Sequence, residues 1–163
     1  MGYKKYLAES RNSEAGKKVR QQRLQRWRRD PVTVRTTPTK PDAARSVGYT
    51  AKQGCFVVRH RIKRGGRQRE QFKAGRRSKH MRRKKGLDMN YQEVAERRVS
   101  QKHPNCEVLG SYQVLKDGLY YWYEVVLANP SEPRVRSDKN LKEATSRKGK
   151  VFRGLTSAGK KSR

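Results

Sequence analysis

The sequence predicts an α+β protein, a small mostly antiparallel sheet with packed helices that carries long basic extensions and a basic tail. Three observations predict it. Residues 55–63 alternate as a strand does, residues 108–128 read as a hairpin about Asp117-Gly118, and a segment of helical period lies between Asn90 and His103-Pro104. Charge is sorted along the chain in the same way. The 163 residues hold 43 Lys and Arg against 14 Asp and Glu, a net +29. Residues 86–133 nevertheless carry seven acids against four bases and six of the thirteen aromatics, whereas 59–85 carry fourteen bases and one acid. Apolar material and cations thus occupy different stretches. They divide the chain into a basic N-terminal helix (1–30), an extended strap (31–54), an α+β core with an inserted basic Arg/Gly loop (55–133, the loop at 64–85), and a basic C-terminal tail (134–163).

Residues 3–29 read as one helix, with Tyr3, Tyr6 and Leu7 sharing a face at its start, Val19, Leu24 and Trp27 continuing a thinner stripe, and Asp30-Pro31 ending it. Arg20, Arg23, Arg26, Arg28 and Arg29 exceed what the C-terminal dipole of a helix can use, which points to phosphate contact. Pro31, Pro38 and Pro41 interrupt any apolar period after it, so the strap should be extended. In the strand Cys55–Lys63, Phe56, Val58, His60 and Ile62 share the core face and Val57, Arg59, Arg61 and Lys63 form a basic outer face. His60 there reads as a core histidine, not a ligand. Arg64-Gly65-Gly66-Arg67-Gln68-Arg69 follows, two glycines that let backbone approach a partner between guanidinium forks, and Lys73–Lys85 continues the basic run.

Asn90, with Glu93 three residues on, starts a helix whose apolar period runs Tyr91, Val94, Ala95 and Val99 before His103-Pro104 stops it. Val108–Leu115 and Leu119–Ala128 are the hairpin strands. Tyr120, Tyr121, Trp122 and Tyr123 put aromatics on both faces of the second, and in an acidic segment these suit packing better than base stacking. After Asn129-Pro130 the chain turns polar and basic to its end.

Several function classes are excluded. The apolar start stops at Ala8, too short for a signal peptide, and no run approaches a membrane span. Cys55 and Cys106 are isolated, without ligand-spaced His, so no metal site and a reducing compartment are expected. Gly154-Leu155-Thr156-Ser157-Ala158-Gly159-Lys160 imitates a phosphate-cradling loop, but Lys161 stands where a magnesium-binding hydroxyl belongs and no strand leads in. It reads instead as flexible basic tail whose glycines lie close to nucleic acid. No catalytic constellation, cofactor site or small-molecule substrate site is evident, which leaves a nucleic-acid-binding protein.

Lys40-Pro41-Asp42-Ala43-Ala44-Arg45-Ser46-Val47-Gly48-Tyr49-Thr50-Ala51-Lys52-Gln53-Gly54, the following Val57–Arg69, Leu109-x-Ser111-Tyr112, and Phe152–Gly159 resemble the fifteen-e family of archaeal and eukaryotic large-subunit ribosomal proteins. The likeness covers nearly the whole chain. It implies a structural constituent of the cytoplasmic large ribosomal subunit, with an α+β domain and basic extensions threaded through ribosomal RNA beside neighbouring ribosomal proteins. Ala43 departs from a position more often basic, and the chain stops at Arg163 where relatives commonly continue, a brevity that suggests an archaeal source. The expected RNA contacts are Arg20, Arg23, Lys52, Arg59, Arg61, Arg64, Arg67, Arg69, Arg76, Arg77, Arg153 and Lys160. The alternative is an architectural DNA-binding or chromatin protein, against which stands the absence of a recognition-helix, zinc-finger or zipper pattern.

Overall fold

The computed structural model describes residues 2–68, 74–75, 84–85 and 88–162. The single helix expected over 3–29 is two, α1 (Gly2–Asn12) and α2 (Glu14–Arg29), broken at Ser13. Ser13 is extended at ψ 162°, its hydroxyl donates to the Ser10 carbonyl, and its oxygen accepts from the Gly16 amide. Serine offers the backbone this alternative to continuing a helix. The turn depends on Gly16 as well, because a Cβ there would lie 2.3 Å from the Ser10 carbonyl oxygen.

The segment expected to be an extended strap is only partly so. It contributes β1 (Thr33–Thr36) to the sheet edge and a short helix, α3 (Pro41–Ser46), whose first turn accommodates the proline and whose Ala44 is buried. Next come β2 (Cys55–Lys63), the two-residue strands β3 (Arg67–Gln68) and β4 (Lys84–Lys85), which pair with each other, and α4 (Tyr91–Lys102). In α4 the Asn90 side chain accepts from the Glu93 amide at 2.8 Å, the cap that the sequence announces. The hairpin is β5 (Glu107–Lys116) and β6 (Tyr120–Ala128), its turn held by Asp117, whose carboxylate accepts from the amides of Leu119 and Tyr120.

The four-stranded sheet is antiparallel in the order β1-β2-β6-β5, so the predicted fold class is the one observed. Both of its faces are covered. On one, α4 packs Ala95 and Val99 on Val58, Ile62, Val108, Val125 and Leu127. On the other, Trp27 of α2 and Ala44 of α3 lie with Val57, Tyr112, Trp122 and Val126. The face of β2 read as outer and basic is therefore buried over its first half, where Val57 is fully covered and Arg59 is 8% exposed, while Arg61 is half-buried and Lys63 exposed. Full burial of each such Val, Leu or aromatic is worth roughly 1.5–3 kcal/mol, so two covered faces stabilise far more than one.

The tail is likewise not a free extension. It forms α5 (Pro133–Ser137), α6 (Lys139–Ser146) and α7 (Ser157–Lys160), and it buries Val135, Leu141, Val151, Thr156, Ala158 and Gly159. Val151 joins the core on the α4 face.

Candidate nucleic-acid interface

With net +29, the few carboxylates are as informative as the many cations. Several of the described ones tie one segment of the chain to another. Asp30 holds Arg59 at 2.5 Å, Asp117 holds Arg28 at 2.8 Å, Asp138 holds Lys52 at 2.6 Å, and Asp42 of α3 holds Arg11 of α1. The Arg11 guanidinium keeps the Asp42 carboxyl below its ordinary value. Glu107 accepts from the Gly149 amide and so anchors the tail before α7.

Among the described residues three carboxylates are buried: Glu93 pairs with Arg97 at 2.8 Å along α4, and the other two lie one on each side of the sheet. Glu96 on α4 accepts from the hydroxyls of Ser111 and Thr156, the second at 2.7 Å, and burial raises its pKa against those two hydrogen bonds. Glu124 on β6 accepts from the Tyr112 hydroxyl at 2.6 Å and from the Thr39 amide at 3.0 Å. Ser111 and Tyr112 are adjacent on β5 and point to opposite faces, so one dipeptide serves both sites. Burial, and then the Glu124 carboxylate, hold the Tyr112 phenol far above its ordinary pKa. Glu124 pairs in register with Arg59, which places a cation beside its charge.

The predicted contact residues now separate. Arg20 and Arg23 are exposed on α2, where Arg26 and Arg29 continue the same i, i+3 row, and Arg20 reaches the Arg11 carbonyl at 3.4 Å. Arg153 and Lys160 are exposed on the tail, Arg153 donating to the Lys148 carbonyl at 2.6 Å. Lys52 is exposed and paired with Asp138. Arg64 is exposed but donates to the Asp117 carbonyl at 2.6 Å and sits 4.9 Å over the Tyr121 ring. Arg59 and Arg61 turn inward. The Arg59 guanidinium lies 4.1 Å over the Trp27 ring while it pairs with Asp30, and that of Arg61 lies 4.8 Å over Tyr120 and donates to the carbonyls of Trp27 and Arg28. Both fasten the end of α2 to the sheet, as stacked and bidentate guanidinium groups are suited to do. Arg67 contributes backbone to β3 opposite Lys85, and Arg69, Arg76 and Arg77 lie outside the described residues.

The loop-like stretch Gly154–Lys160 is half internal, with Gly154, Thr156, Ala158 and Gly159 buried and Leu155, Ser157 and Lys160 exposed. Contrary to the sequence reading a short helix does form there. Thr156 caps it by accepting from the Gly159 amide at 3.1 Å, and a Cβ on Gly159 would stand 2.7 Å from the Gly154 Cα. The two glycines thus serve each other's close approach. Cys55 and Cys106 are free thiols, the first buried and the second half-buried, with pKa values pushed up by burial. His60 is buried, and its Nδ1 lies 2.9 Å from the Thr33 hydroxyl. Burial first, then Arg98 and Lys102, bring its pKa down to about 4. Among the described residues no three His, Cys, Asp or Glu side chains cluster as metal ligands, and no helix is long and apolar enough to cross a membrane.

Sequence reasoning missed the buried acids, whereas it read the arginines of α2, Arg26 and Arg29 included, as phosphate-facing. The row had a visible signal, since Arg20, Arg23, Arg26 and Arg29 recur every three residues. Comparison with known proteins adds a separate line of evidence. The family described as Ribosomal L15 matches residues 2–163. The chain is 48% identical over 150 residues to the protein named large ribosomal subunit protein eL15 of Methanocella arvoryzae, an alignment that covers 87% of this chain and 74% of that one.

Proposed function

As a member of the Ribosomal L15 family the chain is a constituent of the large ribosomal subunit, and we propose that its part there is non-catalytic, binding and stabilising large-subunit ribosomal RNA through its basic surface. The observation that supports this reading most is how charge is used. The carboxylates of Asp30, Asp42, Asp117 and Asp138 are bound to cations that fasten the chain's own segments, and those of Glu96 and Glu124 are buried, while Arg20, Arg23, Arg26 and Arg29 face outward from α2. A surface so arranged attracts a polyanion, and each phosphate it neutralises releases a condensed counterion. Packed RNA helices repel one another, and a cationic row laid between them lowers that repulsion. Neighbouring ribosomal proteins are the other partners of this reading. Family membership favours RNA over the architectural DNA-binding alternative.

The contact set is Arg20, Arg23, Arg26, Arg29, Arg153 and Lys160, with Arg59 and Arg61 given to the fold. Replacing the four α2 arginines with Gln should flatten the dependence of log affinity on log salt for a large-subunit RNA fragment by about three units, at roughly 0.7–0.9 per lost contact. Arg59→Met should leave that slope unchanged. An unaltered slope in the four-Gln protein would remove α2 from the interface.

A further inference from the structure

Between the α1–α2 turn and the sheet lies a cleft of about 540 Å³, within the range of roughly 300–1,000 Å³ in which small-ligand sites occur. Its origin can be traced to sequence. Ser13 and Gly16 turn the helix, the Arg11–Asp42 pair ties the end of α1 to α3, and the space left under this bridge is floored by β5, the outer strand of the sheet. The floor carries an irregularity as well. Gln113 and Leu115 pair with Tyr123 and Trp122, so Val114 has no partner of its own, and bulges of this kind commonly mark sites.

The lining combines two chemistries. Leu7, Val19 and Leu115 are apolar yet incompletely covered, Val19 being 43% exposed on a helix that otherwise displays charge. Arg20, Arg23 and Lys40 stand around them, and none of the lining residues is acidic. Lys40 donates to the Gln113 carbonyl at 2.9 Å, and burial followed by Arg11 lowers its pKa although the Asp42 and Glu124 carboxylates act the other way.

We infer that this cleft receives a single unstacked RNA nucleotide, its base against Leu7, Val19 and Leu115 and its phosphates on Arg20, Arg23 and Lys40. The inference rests on the RNA-binding reading and adds to it a nucleotide taken out of the helix. Bases splayed from loops and bulges are the part of RNA that proteins can enclose between apolar side chains. A phosphate row alone would read only shape and charge.

The test uses the full chain and a set of RNA hairpins at one salt concentration, a fully paired parent and versions with one bulged nucleotide, each of the four bases in turn. At least one bulged hairpin should bind roughly tenfold tighter than the parent, the order of effect of burying part of one base against aliphatic side chains. Val19→Trp fills the cleft without removing a cation, and it should abolish the preference while leaving affinity for the paired parent as it was. Should that variant unfold, Val19→Glu sets a carboxylate in the cleft and should abolish the preference as well. Equal binding of bulged and paired hairpins overturns the site but not the RNA reading. A preference that survives both variants overturns it too, and so does displacement of the bulged hairpin's extra affinity by poly-glutamate, which would assign the cleft to an acidic protein segment. Absence of salt-dependent binding to any hairpin defeats the site and the RNA reading together.

Discussion

At the amino end α1 buries no side chain, and an Arg11–Asp42 ion pair ties it to α3. At the carboxyl end Val151, Thr156, Ala158 and Gly159 are all buried, and Thr156 reaches a carboxylate inside the protein. Both ends are strongly basic, and both contain a glycine whose Cβ would collide with backbone, at 2.3 Å from Ser10 for Gly16 and 2.7 Å from Gly154 for Gly159. Net charge therefore does not decide which end belongs to the core. Burial of a hydroxyl on a buried acid does, because that contact is expensive to leave half made. The tail is folding structure with cations on its outer side, whereas α1 is an arm tied down by the Arg11–Asp42 ion pair.

The comparison breaks most readily at Thr156. In Thr156→Val the cap of α7 is lost, worth about 1 kcal/mol, and one oxygen of buried Glu96 loses its donor, worth about 2 kcal/mol more. Urea denaturation should thus show a loss of about 3 kcal/mol, with hydrogen exchange rising across residues 150–162. A loss below about 1 kcal/mol would return the tail to the status of a loose extension.

How much of this was legible depends on what each residue is bonded to. Cys55–Lys63, Asn90 with its helix and the Asp117-Gly118 turn could be read because periodicity and local caps fix them within a few residues. The tail could not, since Val135, Leu141, Val151 and Ala158 are too sparse to form a period and the decisive bond joins residues 60 apart in sequence. Ser13 could not compete on paper with helix-favouring neighbours on both sides. The inward turn of Arg59 was hidden for a related reason: strand alternation assigns it a face but not what covers that face, and the cover, Trp27, comes from another element. Of the expected contact residues with described side chains, Arg20, Arg23, Lys52, Arg64, Arg153 and Lys160 stand exposed, in positions that charge density alone could suggest.

Acid should pull the two ends apart in stability. His60 lies opposite Thr33 of β1, its Nδ1 next to a Thr33 hydroxyl that accepts from the Lys102 ammonium at 3.1 Å. A lysine can only donate, so the Thr33 proton is free to point at Nδ1, and this arrangement suits an unprotonated nitrogen. With a folded pKa of about 4 against 6.5 unfolded, the unfolded chain binds the extra proton first. Stability is then fully present above 6.5 and falls as pH drops toward 4, by about 2 kcal/mol between pH 7 and 5. Glu96 runs the other way. Its raised folded pKa means that its contribution grows as pH falls and is lost as pH rises through that value. Exchange at pH 5 should accordingly show β1 opening while α7 stays protected, and His60→Phe should remove most of the acid sensitivity. Equal loosening of both ends in acid would show that the tail does not depend on Glu96.

The smallest effect belongs to Gly16. Alanine there gains helix propensity, about 0.5–1 kcal/mol, but brings a Cβ against the carbonyls of Ser10 and Arg11, which are backbone and cannot swing aside. The chain can relieve the collision in one direction only, by moving α1 away from α2 and from Asp42. Because α1 buries nothing, that movement exposes little apolar surface, and the two terms nearly cancel in global stability. Gly16→Ala should leave the urea midpoint within about 0.5 kcal/mol of wild type while amide exchange in residues 2–12 accelerates. The cleft under the turn would open with it, so the bulged-nucleotide preference should fall although every lining side chain is retained. Were Gly16→Ala to cost as much stability as is expected of Thr156→Val, α1 would have to be counted with the core, and the distinction between arm and tail would fail at its weaker end.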